Sequence, residues 1–138
     1  MKKILPICFP IALIFSFISC NDRLDGDVIQ NVESLKIDSV KIAQDTMAVF
    51  TTQSIKTFSN YAKNCEGFYG YDYLHTATLE RKVISYKFKT DGNCEDSVTK
   101  ASQINFRPQV TGTYLFKFYN GKDASGNNVF IEKNIVVE

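Results

Sequence analysis

The chain predicts an all-β domain, a β-sandwich of about seven short strands, on three observations. Apolar and polar residues alternate with a period of two in several separate stretches, turn-forming clusters rich in Asp, Asn and Gly divide those stretches, and no segment sustains a helical period. A small barrel is the second architecture that fits the same pattern.

Taken in chain order, the strand candidates begin with Lys36 to Ile42, Met47 to Ile55 and Gly67 to Thr76, all rich in β-branched or aromatic residues. Next, Ile84, Tyr86 and Phe88 alternate with Ser85, Lys87 and Lys89, and Ile104 and Phe106 alternate with Gln103, Asn105 and Arg107. Tyr114, Phe116 and Phe118 repeat the pattern against Thr113, Leu115, Lys117 and Tyr119. Val129, Ile131, Ile135 and Val137 close the chain against Glu132, Asn134 and Glu138, with Lys133 the one charge on the apolar side. Thr90-Asp91-Gly92-Asn93 and the longer run from Asn120 to Asn128 are the clearest turns, because Asp and Asn close turns with their side chains and Gly accepts positive φ.

Ahead of these strands, Lys2 and Lys3 precede an uncharged apolar run from Ile4 to Ser19 that is shorter than the ~20 residues of a membrane span and has the form of a secretory signal. Phe17-Ile18-Ser19-Cys20 resembles the lipobox of bacterial lipoproteins. That resemblance implies cleavage after Ser19 and lipid on Cys20, an anchor worth roughly 0.8 kcal/mol per buried methylene. Residues 21–34, NDRLDGDVIQNVES, carry four acidic residues and one Arg, which suits a solvated tether without packed structure. Acidic residues directly behind the lipidated Cys resemble the signal that sends lipoproteins of the Bacteroidota to the outer face of the outer membrane. The expected organisation is therefore a removed signal (1–19), a lipidated Cys20 with its tether (20–34), and one domain (35–138) of roughly a hundred residues.

The formal net charge is +1, and loss of Lys2 and Lys3 leaves the mature chain near neutrality, so no nucleic-acid partner is expected. Of four cysteines, Cys8 leaves with the signal and Cys20 takes the lipid. Cys65 and Cys94 remain as a pair in an oxidising compartment, and a disulfide between them closes a loop worth about 3.6 kcal/mol in the chain-entropy model. Two cysteines without a third Cys or a neighbouring His match no zinc pattern.

Residues 110–138, VTGTYLFKFYNGKDASGNNVFIEKNIVVE, look like the last hairpin of the immunoglobulin-like domains of bacterial surface lipoproteins. Gly112-Thr113-Tyr114 echoes the tyrosine corner, whose Tyr hydroxyl bonds back to upstream backbone. The resemblance implies an immunoglobulin-like antiparallel sandwich. Val110 stands where that family has Asp, Phe116 where it has the second Cys, and the chain has no Trp.

Four groups of residues are candidates for function. In Phe68 to His75 a strand places Tyr69, Tyr71, Tyr73 and His75 on one face at ~6.8 Å intervals, opposite Phe68, Gly70, Asp72 and Leu74. Such a row stacks on a sugar or an apolar partner, or else packs across neighbouring strands. His75 is the only histidine, so catalysis or metal binding through histidine rests on it alone, with Glu80 the nearby carboxylate; neither a catalytic constellation nor a metal set is recognisable. Asp91 to Asp96 and Asp123 to Asn127 space oxygen side chains like a calcium loop but lack its Gly and closing Glu. Asp38-Ser39-Val40, Asp45-Thr46-Met47 and Asp96-Ser97-Val98 are similar to the sequon that Bacteroidota glycosylate, which makes Ser39, Thr46 and Ser97 candidate O-glycosylation sites.

The sequence thus predicts a lipid-anchored outer-membrane lipoprotein, at the cell surface or on the periplasmic face, acting as a non-catalytic binding or scaffolding module for a glycan or an envelope protein. It implies no cofactor or metal. A small hydrolase or metal enzyme centred on His75, or a purely structural lipoprotein, are the alternatives. Labelled fatty acid is expected to enter the wild type and not Cys20→Ala; equal incorporation in both would remove the anchor.

Overall fold

The computed structural model describes residues 28–92 and 94–138. Cys20, the signal region and the start of the expected tether lie outside the described residues. The described chain is a β-sandwich without helix, and it has nine strands rather than seven: β1 (Ile29–Leu35), β2 (Ser39–Ile42), β3 (Thr46–Met47), β4 (Gln53–Tyr61), β5 (Glu66–Ala77), β6 (Glu80–Thr90), β7 (Val98–Phe106), β8 (Gly112–Lys122) and β9 (Asn128–Val137).

The larger sheet has six strands. β5 and β6 form a hairpin, and the other flank of β6 is shared end to end by β8, against Glu80 to Val83, and β1, against Ser85 to Thr90. β9 and then β3 complete it. The smaller sheet is β2-β4-β7. Five of the seven ladders are antiparallel; β3–β9 and β6–β8 are parallel. Parallel neighbours cannot be joined by a hairpin. The chain satisfies this by sending β7 to the opposite sheet between β6 and β8.

Two features raise the strand count. Ile29 to Ser34, expected in the tether, instead form most of β1 on β6, where the Glu33 carboxylate meets Lys87 Nζ at 3.0 Å. This stretch pairs through its backbone while its side chains stay exposed, so its polarity says little about its structure. The candidate Met47 to Ile55 is broken after Met47. There Val49 N donates to the Glu138 carbonyl and Phe50, at φ 63°, donates to the Pro108 carbonyl, which turns the chain into β4.

The core forms between Tyr114, Phe116 and Phe118 of β8, Ile135 and Val137 of β9, Val83 of β6, and Ile55 and Phe106 of the smaller sheet. Phe106 packs edge-on against Tyr114 and Phe116, with ring centroids 5.0 and 4.9 Å apart. The tyrosine corner is present: Tyr114 Oη donates to the Val110 carbonyl at 3.0 Å. On β6 the face turned to the core is Arg81, Val83 and Ser85, all buried, whereas Ile84, Tyr86 and Phe88 lie half-buried on the outer face.

The other half of the interior is polar. Buried Glu66 meets Lys87 Nζ at 2.8 Å and accepts the Ala62 N–H at 3.0 Å, while Lys100 donates to the Glu66 carbonyl and lies over the Tyr61 ring. Cys65 and Cys94 are bonded, with Cα atoms 5.3 Å apart, and tie the β4–β5 loop to the β6–β7 loop beside this network. Among the described residues no buried side-chain nitrogen or oxygen lacks a partner. An interior built this way stays folded only while every polar group is paired.

Burial pushes the Glu66 carboxyl up, but the hydrogen bond and charge of Lys87, with backbone donors at Lys63 and Ala62, outweigh it and leave the group below its usual range. A carboxyl lowered on folding stabilises the native state above its unfolded pKa, about 4.3, and that contribution disappears as pH falls through the folded value. Stability is therefore expected to fall in acid, and Glu66→Gln to be less stable at neutral pH with a shallower acid limb in urea titrations. An acid limb unchanged by the substitution would place the acid loss elsewhere. In the apolar half, Phe116→Ala is expected to cost about 3–5 kcal/mol of unfolding free energy in the same assay; a cost below about 1 kcal/mol would mean that the two sheets do not depend on this ring.

Candidate functional site

A cleft of about 570 Å³ opens between β5 and β7, within the roughly 300–1,000 Å³ typical of ligand sites. Tyr71, Tyr73 and His75 of β5 line one side, Gln103 to Phe106 of β7 the other, and the β7–β8 connection from Arg107 to Val110 closes one end, with Arg81 and Tyr114 at the floor.

The geometry of β5 decides which of the sequence candidates reach this space. Its ladder with β6 slips between Phe68 and Gly70, so Tyr69 is the inserted residue of a β-bulge. One extra residue reverses the parity on either side of it. Phe68, expected opposite the tyrosines, joins the inner face with its ring centroid 4.6 Å from that of Tyr71, and Tyr69 leaves the row, 58% exposed and away from the cleft. Tyr71, Tyr73 and His75 remain together.

Their roles differ. The Tyr71 hydroxyl shares a 2.6 Å hydrogen bond with Thr57 Oγ1 and another with Ser102, so this side chain pins β5 to the smaller sheet. Tyr73 packs on Phe116, centroids 6.4 Å apart, and bonds Arg81. His75 is exposed, its ring 5.5 Å from that of Tyr73 and edge-on to it. Burial raises the hydroxyl pKa of Tyr71, against hydrogen bonds from Thr57 and Ser102, and of Tyr73, against the charge of Arg81. Both hydroxyls therefore stay protonated at neutral pH and offer a donor as well as an acceptor.

The cleft residues with the strongest chemistry were not among the sequence candidates. Arg81, 7% exposed, places Nη1 3.0 Å from the Ala77 carbonyl, 3.1 Å from that of Thr78 and 2.9 Å from that of Glu80, with its guanidinium 5.1 Å above the Tyr114 ring. Arg107 donates from Nε to the Phe50 carbonyl at 3.0 Å. Alternation alone puts Arg81 on the Val83 and Ser85 face; only sheet packing makes that face the interior.

Among the described residues no carboxylate lines the cleft. Glu80 is taken by Thr76 at 2.7 Å and Lys117 at 2.9 Å, and Asp72 by the Tyr86 hydroxyl at 2.8 Å on the opposite face of the sheet. Neither orients His75 as an acid-base pair requires. In the calcium-like loop at 123–127 the carboxylate closes the turn, Asp123 Oδ1 accepting the N–H groups of Ser125 and Asn127 at 2.8 and 2.9 Å, whereas Asp91 in the other accepts the distant Val28 N–H at 3.1 Å. Ser39, Thr46 and Ser97 are all exposed and none borders the cleft. No family model, curated protein or solved structure matches the chain.

Proposed function

We propose that the chain is a lipid-anchored envelope lipoprotein whose sandwich binds a ligand in the cleft between β5 and β7 and performs no chemistry on it. Cys20 carries the lipid, and the domain sits at the outer membrane on the cell-surface or periplasmic side. The observation that carries this reading is the cleft itself. Three of the four residues singled out as a binding row, Tyr71, Tyr73 and His75, line it beside amide side chains of Gln103, Asn105 and Gln109. Apolar walls with a few polar groups are the usual make-up of a binding site. The non-catalytic reading is supported over the hydrolase alternative by Glu80 and Asp72, whose carboxylates bond Thr76, Lys117 and Tyr86 rather than His75.

A purely structural role is the second reading, favoured by the hydrogen bonds that tie Tyr71 to the smaller sheet. The test titrates saccharide and protein fractions of the organism's envelope into isotope-labelled mature chain. Expected are chemical-shift changes at Tyr71, Tyr73, His75 and residues 103–110, together with loss of binding in His75→Trp, an exposed substitution that fills the cleft and should alter stability by no more than about 0.5 kcal/mol. Shifts confined to another surface would overturn the cleft reading, and the absence of any response would favour the structural one.

A further inference from the structure

Resting on the reading of the cleft as a binding site, we infer that it is the berth of a fourth strand in the smaller sheet, filled by an extended acidic peptide segment of a partner protein. Three observations combine to carry this.

The first is how the two strands contribute to the cleft. β5 supplies alternate residues, Tyr71, Tyr73 and His75, as a strand does to space lying over its face. β7 supplies four in a row, Gln103, Ile104, Asn105 and Phe106, as a strand does only to space running along its edge. The cleft therefore lies beside β7 in the plane of the smaller sheet and above the inner face of β5, where the next strand of that sheet would run about 4.8 Å from β7.

The second is the state of the sheet edges. β2 has four residues and β3 two, and β5 is broken by bulges at Phe68/Gly70 and His75/Ala77. Short strands and bulges are the means by which edges are kept from pairing. β7 has neither: its nine residues pair with β4 in unbroken register, contain no Pro, and have no backbone partner on their other side among the described residues. Among β2, β3, β5 and β7, only β7 offers a long, regular edge, and it is the edge that borders the cleft.

The third is charge. Arg81, Arg107 and His75 border the cleft without an Asp or Glu, and among the described residues neither Arg has a carboxylate within ion-pair distance. The buried Arg81 guanidinium is held by three carbonyls, the Tyr73 hydroxyl and the Tyr114 ring, none of which carries a negative charge, and an incoming carboxylate supplies one. The same feature disfavours a second copy of this chain, whose own β7 and the residue after it would bring Lys100 and Arg107 to the contact. A saccharide is disfavoured because the rings are already engaged, Tyr71 by Phe68 and Tyr73 by His75 and Phe116.

The probe is a phage library of random nine-residue peptides, selected on the full mature chain. Enriched peptides are expected to carry Asp or Glu among alternating β-formers, to protect from hydrogen exchange those amides of β7 that point away from β4, and to bind Arg107→Glu about tenfold more weakly while that variant keeps the amide spectrum of the folded domain away from the cleft. Binding should also weaken with salt. Enriched peptides that protect other strands, or no enrichment at all, overturn the proposal. Dimerisation with β7 protection in sedimentation and exchange experiments overturns it in favour of a second copy. Saccharides from an oligosaccharide array that shift cleft resonances while peptides do not would refute the added strand and leave the cleft reading standing; failure of both classes to shift the cleft would remove both.

Discussion

A sheet of three strands has to be held face to face with a sheet of six, and the contact of Phe106 with Tyr114 and Phe116 is where this is achieved. Phe106 ends β7, Gly112 begins β8 with Tyr114 two residues in, and the chain between the strands crosses from one sheet to the other in five residues. The tyrosine-corner bond to Val110 fixes the path of that crossing. With the crossing fixed, β8 enters the larger sheet parallel to β6, β9 returns beside it, and Phe118, Ile135 and Val137 are delivered to the core. Aromatic rings suit this position because each buries a large area and meets its neighbours edge to face.

At the far end the same two sheets enclose polar groups, and a different set of interactions maintains the contact. Glu66, Lys87 and Lys100, together with Thr57, Ser59 and Ser85, would make a poor interior if any were left unpaired. The Cys65–Cys94 bond joins the loops at this end and limits how far they separate. Covalent closure thus stands where apolar burial is thin.

The cleft follows from the mismatch in width. β5 lies at one edge of the larger sheet, and the smaller sheet ends at β7 without covering all of β5, so the inner face near Tyr73 and His75 stays open. Tyr71 marks where cover ends, because its hydroxyl still reaches Thr57 and Ser102. The site is therefore a consequence of strand number, with its charge set by two arginines from separate elements.

Strand positions and the disulfide pair were readable in the residues, because both depend on local pattern. Alternation located Tyr114, Phe116 and Phe118 on one face, G-x-Y announced the corner at Tyr114, and Cys65 and Cys94 were the one cysteine pair among the strand candidates and their turns. Tyr71, Tyr73 and His75 were likewise found together by period alone. What the tertiary structure decided is everything that depends on which strands become neighbours. A bulge of one residue exchanged Tyr69 for Phe68, the backbone edge of β6 recruited Ile29 to Leu35 whatever their polarity, and the packing of the sheets made the face of Val83 internal in place of that of Ile84. Pairing and facing are properties of backbone hydrogen bonds and of sheet against sheet, to which side-chain alternation is blind. For the same reason Arg81 of β6 and Arg107 of the β7–β8 connection, 26 residues apart in the chain, became parts of one site only when the two sheets packed together.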